Sequence, residues 1–221
     1  MLRFYFGVMG SSKTAMLLMQ RYNCLELGHC VALIKPEVDT RVGRDIVYSR
    51  VGLRAVADIV VGTDDDILEQ IRWFDAAQGR RLQHVFIDEA QFLSEGQVIS
   101  LADIAPELDI HCYGLKTDFM GNFFPGSQAL LRFAGVLQEV EASLCWCGAK
   151  ATMNTRIDGK GNVIKSGEQV LIDDGTQISY IGLCYKHWLC GESRPRRPVP
   201  KGRAGKGGVA RVKSVNSGKE Y

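Results

Sequence analysis

Residues 7–14 read Gly7-Val8-Met9-Gly10-Ser11-Ser12-Lys13-Thr14, between an apolar segment, Leu2–Phe6, and an amphipathic one. This frame predicts a P-loop, in which main-chain amides surround phosphates at the N-terminus of a helix. The lysine of such a loop supplies a positive charge, and the threonine ligates Mg²⁺. Ser12 stands where the pattern has glycine, so its Cβ would crowd the phosphate. A Gly/Ser turn before a helix with an exposed lysine is the other interpretation.

The first 140 residues alternate short apolar segments with longer amphipathic ones, which predicts an α/β fold with a mostly parallel sheet. The predicted strands are Leu2–Phe6, Cys30–Lys35, His84–Asp88 and Ile110–Leu115. One helix is predicted directly after the P-loop, and three more at Ile67–Ala77, Val98–Ala105 and Gly126–Phe133. Gly28 is expected to cap the first helix at its C-terminus. Residues 39–55 are polar, arginine-rich and weakly periodic, so we expect a mobile loop. Farther along, Thr152–Arg156 and Gln169–Ile172 are predicted strands joined by a turn at Asp158–Asn162.

A buried strand is predicted to end in two carboxylates, Asp88 and Glu89. A P-loop enzyme needs such a second acidic element for its metal-bound nucleotide. Because the carboxyl ends of parallel strands meet at one edge, both carboxylates should lie near the P-loop. A strand end finished by a solvated acidic pair is the other interpretation. The next strand opens into a loop with Phe119, which either stacks on a planar ligand or belongs to the core.

Cysteine and histidine residues predict a structural zinc site in the last third of the chain. They occur in Leu144-Cys145-Trp146-Cys147-Gly148 and in Cys184-Tyr185-Lys186-His187. Three thiolates and one imidazole suit Zn²⁺, and a closed shell of four protein ligands is structural rather than catalytic. Cys190 is a spare candidate for the fourth ligand. Buried free cysteines and a surface histidine are the alternative.

The remaining cysteines, Cys24, Cys30 and Cys112, lie in apolar stretches and are expected to be small core residues. Their scattered spacing and the odd total of seven argue against a disulfide framework and point to a reducing compartment. The N-terminus lacks a signal-peptide pattern, and no stretch approaches the roughly 20 apolar residues that would cross a bilayer. We therefore expect a cytoplasmic protein without a membrane partner.

Charge is distributed unevenly along the chain. Residues 194–221 hold nine of the 27 basic residues and one of the 25 acidic ones, so this tail carries +8 and the rest −6. Rich in proline, glycine and arginine, the tail is expected to be disordered. It could contact nucleic acid through phosphates or only aid solubility. We favour solubility, because no aromatic residue lies among the charges before Tyr221.

A series of motifs runs through residues 2–190: the P-loop, Asp39-Thr40-Arg41, Ser49–Leu53, Asp88–Phe92, Tyr113–Phe119, Cys145–Gly148, Gly167–Ile172 and Cys184-x-x-His187. Their order and spacing closely resemble the type II thymidine kinases, especially the bacterial branch. The resemblance implies a RecA-like P-loop domain at 1–139, a zinc domain with a lasso loop at 140–191 and a tail at 192–221. It also implies transfer of the ATP γ-phosphoryl group to the 5′-hydroxyl of thymidine, with Mg²⁺. The family is commonly homotetrameric and inhibited by its end product, dTTP.

The resemblance also assigns roles to residues of this chain. Glu89 would be the general base, Asp88 would act on the metal side, and Lys13 and Thr14 would hold phosphates and Mg²⁺. Arg50 and Gln91 would join the P-loop at the nucleotide. On the nucleoside side, the implied residues are Phe119 on the thymine ring, Met9 and Leu115 near its methyl group, Asn154 beside the base, the lasso residues Gln169, Val170, Leu171, Ile172 and Asp173 at the base edges, and Tyr180 closing the site.

The chain departs from the family pattern at Ser12, at Asp173-Asp174 where the family has two glycines, and in its tail. An active thymidine kinase is the leading hypothesis. A nucleotide- or nucleoside-binding protein that has lost turnover is the second. The third is another P-loop enzyme whose zinc module binds nucleic acid. Retention of Lys13 and Glu89 favours the first, since a protein that only binds has no obvious use for Glu89.

Overall fold

The computed structural model describes residues 1–40, 43–140, 143–169 and 178–194. The predicted lasso residues Val170, Leu171, Ile172 and Asp173 lie outside these ranges, as does the basic tail beyond Arg194. Within the described residues, no helix is long and apolar enough to cross a membrane.

Eleven strands and five α-helices make up the described part of the chain. The strands are β1 (Leu2–Phe6), β2 (Val31–Pro36), β3 (Ile46–Tyr48), β4 (Arg54–Val56), β5 (Ile59–Val61), β6 (His84–Ile87), β7 (Asp109–Gly114), β8 (Val136–Glu139), β9 (Met153–Ile157), β10 (Val163–Ile164) and β11 (Ser179–Leu183). The helices are α1 (Lys13–Glu26), α2 (Ile67–Ala77), α3 (Glu95–Ile104), α4 (Pro125–Phe133) and α5 (Tyr185–Cys190), and a 3-10 turn spans Ala90–Phe92.

Six strands form one sheet in the order β5-β2-β6-β7-β1-β8, and all of its pairings are parallel. This confirms the predicted α/β class. Strands β6, β7 and β1 are neighbours, so the segments that follow them leave the sheet side by side. These segments contain Asp88, Leu115 and the P-loop, respectively. The three predicted motifs therefore converge on one edge of the sheet.

The sheet is covered on both faces. Helix α1 packs Leu17 and Leu18 on one face, against Phe86 and other strand residues. Helices α2, α3 and α4 cover the opposite face through residues such as Ile71, Val98 and Leu130. Burial on both faces explains why the central strands are continuously apolar instead of alternating. It also holds their carboxyl ends in fixed positions.

The segment predicted as a mobile loop at 39–55 contains an antiparallel hairpin of β3 and β4. The prediction missed it because each strand has only three residues and little periodicity. Buried Lys35 donates hydrogen bonds to the carbonyl oxygens of Gly43 at 2.8 Å and Ile46 at 2.7 Å. The end of β2 thus anchors the hairpin beside the edge of the sheet at which the three motifs converge.

A smaller antiparallel sheet has the order β10-β9-β11. The turn at Asp158–Asn162 occurs as predicted, but it joins β9 to β10. Gln169, predicted to begin the second strand, lies in no strand. The strand that was missed is β11, which pairs with the whole length of β9.

One buried side chain of the large sheet gives a prediction about pH and stability. The ring of His111 stacks on Phe86 with centroids 4.6 Å apart, and neither of its nitrogens has a hydrogen-bond partner among the described residues. Burial, helped by the charge of Arg3, lowers the pKa of His111 from 6.5 to about 4. The unfolded chain therefore takes up a proton near pH 6.5 and the folded chain does not. The stability contributed by the neutral ring is complete above pH 6.5 and is lost as the pH falls towards 4.

We expect His111→Phe to keep the stacking and remove this proton uptake. The drop in unfolding free energy between pH 7.5 and pH 5 should be smaller in the variant by about 2 kcal/mol. Urea unfolding at both pH values measures the difference. Tyr113→Phe, on the same strand, is the control, because it changes the packing without changing titration in this range. Equal pH dependence in His111→Phe and the unsubstituted chain would contradict the prediction.

Candidate active site

The loop after β1 curls around the side chain of Lys13. Its Nζ donates to the carbonyl oxygens of Gly7 at 3.2 Å and Val8 at 2.9 Å and to Ser11 Oγ at 3.2 Å. The residue is 9% exposed. Ser12 has φ +64°, a left-handed conformation that glycine adopts at lower cost. The predicted loop thus forms despite the substitution, with α1 beginning directly after it.

The acidic motif lies beside this loop. Thr14 Oγ1 donates to Asp88, with both carboxylate oxygens at 3.1 Å. Asp88 is only 6% exposed. Burial, and secondarily the charge of Glu89, raises the pKa of Asp88 to about 7. A buried carboxylate in this state is stabilised in its ionised form by a nearby cation.

Glu89 has φ +49°, which turns its side chain out of the path of β6. Gln91 Nε2 donates to Glu89 Oε2 at 2.5 Å, and Gln91 Oε1 accepts from the backbone N–H of Leu115 at 3.0 Å. Gln91 therefore connects the carboxylate to the end of β7. A Cβ on Gly114 would come within 2.7 Å of Gln91 Oε1, so glycine is needed there.

The other side of the site is built by β9 and the loop after β7. Asn154 Oδ1 accepts from the N–H of Met9 at 2.7 Å, and its Nδ2 donates to the carbonyl oxygen of Thr117 at 2.6 Å. Phe119 is 2% exposed, and the Arg156 guanidinium carbon lies 3.7 Å from the centroid of its ring. Asn154 thus joins the small sheet to the P-loop, and Arg156 fixes the plane of the phenyl ring.

A cavity of about 420 Å³ joins the two halves. Among the predicted residues, it is lined by Met9, Gly10, Ser11, Ser12, Lys13, Thr14, Arg50, Asp88, Glu89, Gln91, Leu115, Phe119, Asn154, Gln169 and Tyr180. Gly7 and Val8 are the first two residues of the loop, and their carbonyl oxygens accept hydrogen bonds from Lys13. The cavity is thus continuous from the P-loop to the phenylalanine and asparagine.

Several residues at the site were missed from the sequence. Tyr48, Ser49 and Asp118 also line the cavity. Arg156 donates from Nε to Tyr180 Oη at 2.8 Å and from Nη2 to the carbonyl oxygen of Glu168 at 2.8 Å. A signal for Arg156 was present, because the two-residue period of a strand places it on the same face as Asn154.

The four predicted zinc ligands lie together. His187 Nδ1 is 3.4 Å from Cys145 Sγ and 3.2 Å from Cys184 Sγ, and the Sγ atoms of Cys147 and Cys184 are 4.0 Å apart. Ligands of tetrahedral zinc are separated by roughly 3.3–3.8 Å, given its bond lengths. Although burial opposes ionisation, backbone N–H groups of Cys147 and Cys184 lower the pKa of Cys145 to about 6. The donor set and spacing fit Zn²⁺.

The other cysteines are also placed. Cys190 lies outside this cluster and is exposed. Cys30 and Cys112 are buried, as predicted, and Cys24 is half-buried and packs against the core cluster between α1 and the sheet, with its thiol close to two histidines.

Comparison with known proteins shows the family to which the chain belongs. The family model described as "Thymidine kinase" matches residues 1–188. A thymidine kinase of Rhizobium meliloti is 41% identical over 85% of this chain and 95% of the relative. One from Legionella pneumophila (strain Lens) is 41% identical over 90% and 94%, and one from Enterobacteria phage T4 is 40% identical over 84% and 93%. The resemblance inferred from the motifs is confirmed: the chain belongs to the thymidine kinase family.

Proposed function

We propose that this chain transfers the γ-phosphoryl group of ATP to the 5′-hydroxyl of thymidine. The observation that carries the proposal is the single cavity that contains Lys13, Asp88 and Glu89 at one end and Phe119 at the other. A phosphate-binding loop and an aromatic surface within one cavity suit a nucleotide donor and a nucleoside acceptor. The names of the relatives support thymidine as that acceptor.

On the phosphate side, the amides of the P-loop and the Lys13 ammonium group would hold the β- and γ-phosphates. Lys13 now donates to the loop carbonyls and would turn towards the phosphates when ATP binds. Thr14 and Asp88 are the residues that would hold Mg²⁺, which neutralises charge on the phosphates. Arg50 is exposed on the cavity rim close to Gly10, from which it can reach the same phosphates. Gln91 would contribute to the phosphate side of the site through its hydrogen bond to Glu89.

Glu89 acts as the general base. As the 5′-oxygen of thymidine bonds to the γ-phosphorus, the bond between that phosphorus and the β–γ bridging oxygen breaks and ADP leaves. The hydroxyl proton passes to the Glu89 carboxylate. Gln91 holds that carboxylate in position. Positioning of this kind supplies most of the catalysis in phosphoryl transfer.

The thymine base would stack on Phe119, whose ring is held in position by contact with Arg156. Met9 and Leu115 would contact the methyl group, and Asn154 would lie beside the base. Main-chain groups of residues 169–173 would pair with the base edges, and Tyr180, held by Arg156, would close the site. The zinc ion would tie together the two ends of this segment, at Cys145–Cys147 and Cys184–His187.

Further proposals follow from the family. The domains would span 1–139, 140–191 and 192–221, and the active form would be a homotetramer inhibited by dTTP. We also propose a cytoplasmic location, in keeping with the seven free cysteines. The tail is proposed to aid solubility.

A panel of nucleosides tests the function directly. With ATP and Mg²⁺, we expect thymidine to be phosphorylated with a higher kcat/KM than deoxyuridine, deoxycytidine or deoxyadenosine, because the methyl group packs against Met9 and Leu115. Product formation is measured with radiolabelled ATP. Binding of thymidine and ATP without turnover would favour the binding-protein hypothesis. Turnover only in the presence of nucleic acid would favour the third hypothesis.

The base role is tested by Glu89→Gln, which preserves size and hydrogen bonding but cannot accept the proton. We expect kcat to fall by about 10²–10⁴-fold, the usual contribution of general-base catalysis, with little change in ATP affinity. Glu95→Gln is the matched control, since Glu95 is exposed and pairs only with Arg132 among the described contacts. An unchanged kcat in Glu89→Gln would remove Glu89 from this role.

The zinc site is tested by Cys184→Ser, which deletes one ligand. We expect zinc to bind at least about 10-fold more weakly, as metal sites generally respond to smaller changes than this. The melting temperature should fall and KM for thymidine should rise more than KM for ATP, because the affected segment lies on the nucleoside side. Cys190→Ser, an exposed cysteine outside the cluster, is the control. Equal KM values for thymidine in both variants would contradict the proposed role.

A further inference from the structure

The end of α1 opposite to the P-loop has an unusual structure. The N–H of His29 donates to the carbonyl oxygen of Cys24 at 3.0 Å, and the N–H of Gly28 donates to that of Leu25 at 2.9 Å. Together with the positive φ of Gly28, +77°, these bonds form a Schellman motif. In this motif the side chains at the positions of Cys24 and His29 come together, and two apolar residues commonly occupy them. Here they are a thiol and an imidazole.

A third potential ligand approaches from the sheet. His84 is the first residue of β6, and its Nε2 lies 3.0 Å from His29 Nδ1. The ligand atoms of Cys24, His29 and His84 all lie within 4.8 Å of one another, and each residue is half-buried. All three are held by regular backbone structure, a helix cap and a strand, so little reorganisation is needed for them to act together.

We infer that Cys24, His29 and His84 form a second metal site that takes a zinc-class divalent cation. One thiolate and two imidazoles suit such a borderline-soft ion, and three protein ligands leave the fourth position to water. The site lies at the amino ends of β2 and β6, at the edge of the sheet opposite to the P-loop. It shares no residue with the Cys145–His187 cluster.

The C-terminus of α1 contributes partial negative charge beside the three ligands. The last turn of α1 contains no basic residue, and Arg80 from outside the helix offsets part of this charge by donating to the carbonyl oxygens of Gly28 and His29.

Zinc counting on the full chain tests the site. The protein is stripped with a chelator, equilibrated with buffered free Zn²⁺ at pH 7.5 under a non-thiol reductant, and assayed for metal per chain. We expect two zinc ions in the unsubstituted chain and in Cys190→Ser. We expect one in Cys145→Ser/Cys184→Ser, which leaves only two ligands of the Cys145–His187 cluster, one in Cys24→Ser/His29→Gln and none when all four of these substitutions are combined.

Cobalt provides a second measurement on the same proteins. In Cys145→Ser/Cys184→Ser, added Co²⁺ should still give a thiolate-to-cobalt charge-transfer band, and that band should disappear when Cys24→Ser is added. If Cys24→Ser/His29→Gln does not fold, His29→Gln alone, a single half-buried change at a helix cap, replaces it and should also bind one zinc ion. One zinc ion per unsubstituted chain would overturn the inference and leave a His29–His84 hydrogen bond. A second ion that persists in both His29→Gln and Cys24→Ser/His29→Gln would also overturn the inference.

Discussion

The parallel pairing of β6, β7 and β1 is the constraint on which the site depends. It places the ends of three strands next to one another, and each strand is followed by one of the segments that line the cavity. Asp88 and Glu89 follow β6, Leu115 follows β7, and the P-loop follows β1. Contacts between these segments are then short: Thr14 reaches Asp88, and Gln91 reaches Leu115. Without this strand order, the same motifs would be far apart.

Strain is concentrated at two positions of this edge. Ser12 and Glu89 are the only described residues other than glycine with positive φ. A left-handed conformation costs roughly 1–2 kcal/mol for a residue with a Cβ, so surrounding contacts must compensate for it. For Glu89, the Gln91 hydrogen bond and the following 3-10 turn do so. For Ser12, the hydrogen bonds from Lys13 to the carbonyl oxygens of Gly7 and Val8 hold the loop. The loop therefore forms without a glycine at position 12.

The sequence predicted the central sheet well because burial on both faces leaves long apolar runs that are easy to recognise. Leu2–Phe6 and Ile67–Ala77 match the observed elements at both ends. The short strands β3, β4, β5 and β10 escaped detection because two or three residues carry too little periodicity. Pairing in the small sheet was also wrong, since local turn chemistry identifies a hairpin but cannot show that β11 is the second partner of β9. Arg156 was overlooked because arginine is seldom buried, and only the contact with Phe119 explains its position.

The two ends of α1 express one physical property in opposite ways. At the N-terminus, the first backbone amides and the positive end of the helix dipole face the cavity, and the first turn contains no acidic side chain. That end suits phosphate. At the C-terminus, the negative end of the dipole lies beside Cys24 and His29, where Arg80 already contributes one positive charge and the proposed cation would add another. Since both interactions stabilise the same helix, and α1 packs Leu17 and Leu18 rigidly on the sheet, a bound cation would also support the helix that presents the phosphate site. The dipole effect is confined to the terminal turns, so this support would act through the stability of the helix and not through a field across it.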